Sequence, residues 1–171
     1  MTQKERREYL IRYLLKENIQ YTNMEVPVRE DEQKQLLRAL FNIRMPQEAL
    51  KEFIRIQDEY LLEENRNKGI VDYKNLTPIE GGIYLWQGDI SSLKVGAIVN
   101  AANSQMLGCF RPNHKCIDNC IHTFAGVQLR AECNRQMNLL RERYGRDCGT
   151  NSDQLDEGAS RMYGKGDLQC F

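Results

Sequence analysis

One stretch constrains the fold more than any other: Gly88–Leu129, GDISSLKVGAIVNAANSQMLGCFRPNHKCIDNCIHTFAGVQL. It runs from an apolar segment through an Asn- and Gly-containing loop into the start of a helical pattern, and it holds both histidines with Cys109, Cys116 and Cys120. Val95–Val99 (VGAIV) has the length and composition of a buried strand. A second short run, Ile83–Trp86, is also strand-like and closes at Gly88. From Ile117 the residues Ile121, Phe124, Ala125, Leu129, Cys133, Met137 and Leu140 follow the helical period, with Arg and Glu on the far side. Strands alternating with a long helix point to an α/β sandwich rather than to a bundle.

The residues before this stretch are helical in pattern. Thr2 and Glu5 form a capping-box signature, and Tyr9, Leu10, Tyr13 and Leu14 recur at helical spacing behind it. Asn18–Arg29, with Pro27, interrupts the pattern. A second helix is expected over Glu30–Arg44, with Leu36, Leu37, Leu40 and Phe41 on one face. Pro46 is expected to open a third, carrying Leu50, Phe53, Ile54, Tyr60 and Leu61 and stopping at Gly69. Four parts follow: a helical extension over 1–69, a linker over 70–82 punctuated by Asn75, Pro78, Gly81 and Gly82, an α/β segment over 83–143, and an irregular tail over 144–171.

Charge and composition narrow the function classes. With 24 basic and 24 acidic residues, no global field attracts nucleic acid or an anionic membrane. No apolar run reaches the roughly 20 residues that span a bilayer. The charged N-terminus has no signal-peptide core, so the chain is expected to be cytoplasmic. In a reducing compartment, cysteines are expected to be thiols or metal ligands rather than disulfides.

Three sets of residues carry chemistry. Cys109, His114 and Cys116 form C-x4-H-x-C in one short loop, a donor set that suits zinc and leaves a fourth coordination position open. The alternative is a pair of buried thiols beside a surface histidine. His122 is a rival ligand or a polar pocket residue, on the same helical face as Asp118. Asn100–Asn103 (NAAN) follows the apolar run, where loops at strand ends line ligand crevices and carboxamides bond polyhydroxyl groups; a simple turn is the plainer use of such asparagines. Asp89 after the first strand suits an exocyclic amine or a turn. Asp118 and Asn119 open the long helix, as caps or as groups facing a ligand.

Taken together, GDI at 88–90, AIVNAAN at 97–103, LGC at 107–109 and IDNCIHTFAG at 117–126 closely resemble the macrodomain family. GCFRPNHKC stands where the common hydrolase branch has a run of glycines, which resembles the zinc-dependent branch that removes mono-ADP-ribose from proteins. QKQLLRAL, IQDEYLLEEN and IYLWQGDI resemble that branch's N-terminal extension, so the likeness covers about residues 1–143. It implies a three-layer α/β/α sandwich preceded by helices, and one zinc ion per chain on Cys109, His114 and Cys116. It also implies adenine held by Asp89 and the Ile90 backbone, and the distal ribose positioned by Asn103 with Asn119 nearby. Asp118 would orient the attacking water, with Asn103 beside it at the reacting sugar. The partner implied is ADP-ribose on a modified protein. The later phosphate-binding glycine loop of the family has no counterpart here, so the C-terminal part of the sandwich is expected to be missing or divergent. Two alternatives stay open: an ADP-ribose-binding module without catalysis, and an inactive fragment.

Overall fold

The computed structural model describes residues 1–145, and the expectations for the tail beyond them lie outside the described residues. Helix α1 (Gln3–Glu17) starts as the capping box requires. Thr2 Oγ1 accepts from the Glu5 N–H, and Glu5 Oε2 accepts from the Thr2 N–H at 2.8 Å. Helix α2 (Glu30–Ile43) lays Leu37, Leu40 and Phe41 against α1. Helix α3 (Lys51–Lys68) completes the layer with Phe53, Ile56, Tyr60 and Leu61, and Gly69 ends it at φ 90°. These side chains, with Leu10, Ile11, Leu14 and Leu15 of α1, form the core.

The third helix begins at Lys51 and not at Pro46. Arg44 explains the delay. Its buried guanidinium is paired with Glu17 and donates to the carbonyls of Gln47 (3.0 Å) and Glu48 (3.1 Å), which holds that segment extended.

The sheet side departs further from expectation. Residues 70–82, expected as linker, carry β1 (Val71–Asp72) and β2 (Pro78–Glu80). Strand β2 pairs antiparallel with β3 (Ile83–Tyr84), the only part of Ile83–Trp86 that is a strand. Strand β1 pairs parallel with β4 (Leu93–Lys94) in the register Val71↔Leu93 and Asp72↔Lys94. Pairing stops there, and Val95–Val99 is not a strand; Val99 is 85% exposed. An apolar run becomes a buried strand only where neighbours supply a ladder and a covering layer. Among the described residues no strand pairs with this one.

The single long helix expected from Ile117 is two: α4 (Ile117–Phe124) and α5 (Val127–Tyr144). Gly126, at φ 79°, makes the corner, and Gln57 of α3 fills it by accepting from the Val127 N–H at 3.0 Å. A Cβ at Gly126 would collide with that carboxamide. Ile121, Cys133 and Met137 are buried as the periodicity predicts. The result is a mixed α/β fold of five helices and two two-stranded sheets among the described residues. None of these helices is long and apolar enough to cross a membrane.

Candidate metal centre

Helix α4 sets the site. Cys116 is its N-cap, and its sulfur accepts from the Asn119 N–H at 3.4 Å. The preceding loop turns back through Gly108 at φ 80° and Asn113 at φ 54°, which brings Cys109 and His114 to the same place. The sulfurs of Cys109 and Cys116 and a ring nitrogen of His114 all lie within 4.8 Å of one another. Cys109 Sγ is 3.6 Å from His114 Nδ1. Zinc at ~2.3 Å from sulfur and ~2.0 Å from nitrogen, with tetrahedral angles, separates those atoms by about 3.5 Å. The donor chemistry and the Cys109–His114 spacing therefore fit that ion. The four cysteines among the described residues are free thiols. Burial raises the Cys116 thiol above its ordinary value against the pull of the Asn119 N–H, and its neighbours Cys109 and Asp118 push it the same way as burial.

Asp118 is 6% exposed; its Oδ1 accepts from Asn100 Nδ2 at 2.7 Å and lies 3.6 Å from His122 Nε2. His122 is thus a partner of Asp118, one turn along α4, and is not among the clustered metal donors. Burial lowers its pKa to about 4, although the nearby Asp118 works in the opposite direction. The imidazole is neutral at neutral pH. Its Nδ1 and the Asn100 Oδ1 are buried without a hydrogen-bond partner. The ring packs so closely on Gly108 that a Cβ there would lie 2.7 Å from its Cγ and Cδ2.

The other predicted residues are more scattered. Asn103 is exposed and spent on its own turn: it donates to the Gly108 carbonyl at 3.2 Å and accepts from the Gln105 N–H at 3.1 Å. The Asn119 carboxamide is fully buried and braces the loop, with Nδ2 on the carbonyls of Cys109 and Arg111. Asp89 caps a helical turn at Ile90–Ser92 by accepting from the N–H and hydroxyl of Ser91. Lys68 Nζ, seated 2.9 Å above the Phe124 ring, pairs with the other Asp89 oxygen at 3.1 Å. Partial burial pushes the Asp89 carboxyl up, but Ser91 and Lys68 together hold it below its usual value.

Residues 99–159 match the family model described as Macro domain. This segment is similar to the Macro domain family. The mixed α/β arrangement of the chain is macrodomain-like, and the metal loop and α4 lie inside the matched segment. Over 137 residues, 78% of this chain and 52% of the relative, the chain is 60% identical to a protein-ADP-ribose hydrolase of Treponema medium. Over 156 residues, 91% of this chain and 57% of the relative, it is 41% identical to a protein-ADP-ribose hydrolase of Staphylococcus aureus strain MRSA252. The chain spans about half the length of the curated relatives it matches.

Four residues at this site had no local signal in the sequence. Arg38 and Asn42 reach the loop from α2, Arg130 reaches it from α5, and Thr123 links α2 to α4. Each makes its bond across a separation of at least 23 residues, with no spacing that announces it.

Proposed function

We propose that this chain carries the metal-binding part of a zinc-dependent protein-ADP-ribose hydrolase acting on mono-ADP-ribose attached to protein side chains. The observation that supports the metal is the convergence of two thiols and an imidazole within 4.8 Å on the loop that leads into α4. The similarity to proteins named protein-ADP-ribose hydrolase supports the substrate class.

In this reading Cys109, His114 and Cys116 hold zinc, which supplies charge stabilisation at the ribose and a lowered pKa for a bound water. Asp118, anchored by Asn100, orients the attacking water from the first turn of α4. Asn103 turns from its contact with Gly108 to position the distal ribose, and Asn119 keeps the loop in place around it. Asp89 offers one carboxylate oxygen to the adenine amine in exchange for Lys68, with the Ile90 backbone beside it.

The test is metal content and turnover on the purified, mass-verified chain. One zinc per chain, saturable ADP-ribose binding and release of ADP-ribose from a mono-ADP-ribosylated protein are expected, with turnover abolished in Cys116→Ser and His114→Ala. Full turnover in either variant would sink the metal mechanism. A second reading, an ADP-ribose-binding module whose zinc only braces the loop, draws on the burial of Asp118 against Asn100. Calorimetry showing binding with no product would select it.

A further inference from the structure

The loop over residues 107–116 has neither helix nor strand to shape it. Its form is imposed by side chains from outside. Arg130 Nε of α5 donates to the Leu107 carbonyl at 2.7 Å and fixes where the loop starts. Another nitrogen of the same guanidinium binds the carbonyls of Phe41 and Asn42 at the end of α2, so the start of the loop is tied to α2 as well.

The tip of the loop is held by α2 directly. Arg38 Nη2 donates to the His114 carbonyl at 2.8 Å and to Asn119 Oδ1 at 3.0 Å, and lies 3.4 Å from Cys120 Sγ. One turn on, Asn42 Oδ1 accepts from the Asn113 N–H at 2.9 Å. That bond secures the residue whose positive φ aims His114 back toward Cys109. Asn42 Nδ2 also donates to Thr123 Oγ1, and that hydroxyl donates to the Asn119 carbonyl. Arg38 and Asn42 share a face of α2 because residues four apart are stacked on a helix. Adjoining positions on α2, Leu37, Leu40 and Phe41, are buried in the core with α1 and α3.

We propose that α2 is part of the metal centre. Arg38 and Asn42 are positioning residues that hold Asn113 and His114 where Cys109, His114 and Cys116 converge, so the affinity for metal depends on the N-terminal helices. This rests on the metal reading above. A loop released from α2 must lose conformational freedom when metal binds, and that cost weakens binding.

The experiment uses the full chain with Arg38→Ala, Asn42→Ala and, as comparator, the core substitution Leu37→Ala. Zinc affinity is read by chelator competition, the cobalt-substituted site by its thiolate absorption, and the loop by hydrogen exchange at the Asn113 amide in the metal-free chain. Arg38→Ala and Asn42→Ala are expected to weaken zinc binding by about 10–100-fold, the range for groups that orient ligands. They should also alter the cobalt spectrum, and Asn42→Ala should speed Asn113 exchange. Leu37→Ala should lower the melting temperature but leave zinc affinity and cobalt spectrum of the folded chain as in the parent. If Arg38→Ala does not fold, Arg38→Lys, which keeps one donor for the His114 carbonyl, should give intermediate affinity. Parent-like affinity and spectra in the α2 variants would overturn the proposal. A parent chain that takes up neither metal would sink the metal reading instead, and unchanged Asn113 exchange in Asn42→Ala would separately overturn the clamp.

Discussion

The helical layer and the strand-bearing segment start from similar material and end in opposite states. Leu10 and Ile11 of α1 are completely buried, whereas Leu85 and Val99 are 80% and 85% exposed. Both regions alternate short apolar clusters with polar residues. A helix satisfies its backbone internally and needs only a neighbouring helix to cover one stripe, and α1, α2 and α3 provide this for one another. A strand leaves its N–H and C=O groups to be met by another strand, so an apolar run without one gains nothing from its own composition. Apolar content is thus a poor guide to burial until the partner is known.

The strongest way to break this contrast is to truncate one apolar side chain on each side. Phe53 is fully buried, with its ring centroid 4.3 Å from that of Tyr13. Phe53→Ala is expected to cost about 3–5 kcal/mol in denaturant unfolding. Val99→Ala should stay within about 0.5 kcal/mol. A loss of about 1 kcal/mol or more at Val99 would mean that it is covered in solution. Next in size is Gly108→Ala, which places a methyl against the His122 ring at a backbone conformation that favours glycine. It should cost about 1–3 kcal/mol and reduce metal content in the same protein sample.

Buried His122 sharpens the contrast through pH. Unfolded, the imidazole takes up a proton below about pH 6.5; folded, it stays neutral down to about pH 4. Between those values the unfolded state binds more protons, so stability falls as pH falls, and the contribution is fully retained above pH 6.5. The slope from this one group approaches about 1.4 kcal/mol per pH unit. Urea midpoints of the parent and His122→Gln, compared across that window, should diverge by that slope. Parallel curves would show that the ring is solvated. The smallest expected effect is at the helix cap: Thr2→Ala should cost about 1 kcal/mol, read as a lower melting temperature.

The parts legible from sequence are those whose physics is local. The Thr2–Glu5 box, the span of α2 and the stop at Gly69 each depend on neighbours within one turn. The metal donors are legible for the same reason, since Cys109, His114 and Cys116 are close in the chain and a single loop brings them together. Lys51 as the true start of α3 was not legible, because Arg44 and Glu17 meet only once α1 and α2 have packed. The corner at Gly126 carried a weak signal, a glycine within a helical pattern, but its cause is Gln57 on another helix.

For this protein the sequence by itself determined the positions of α1 and α2, the likeness of the segment from Val99 onward to the Macro domain and the identity of the clustered donors. Tertiary structure alone decided that Val95–Val99 lies outside any strand, that Asp118 is held between Asn100 and His122, and that α2 grips the loop through Arg38 and Asn42. Composition and short-range spacing specify what a segment can form. A hydrogen bond across some 70 residues exists only when packing has brought both partners out of water together.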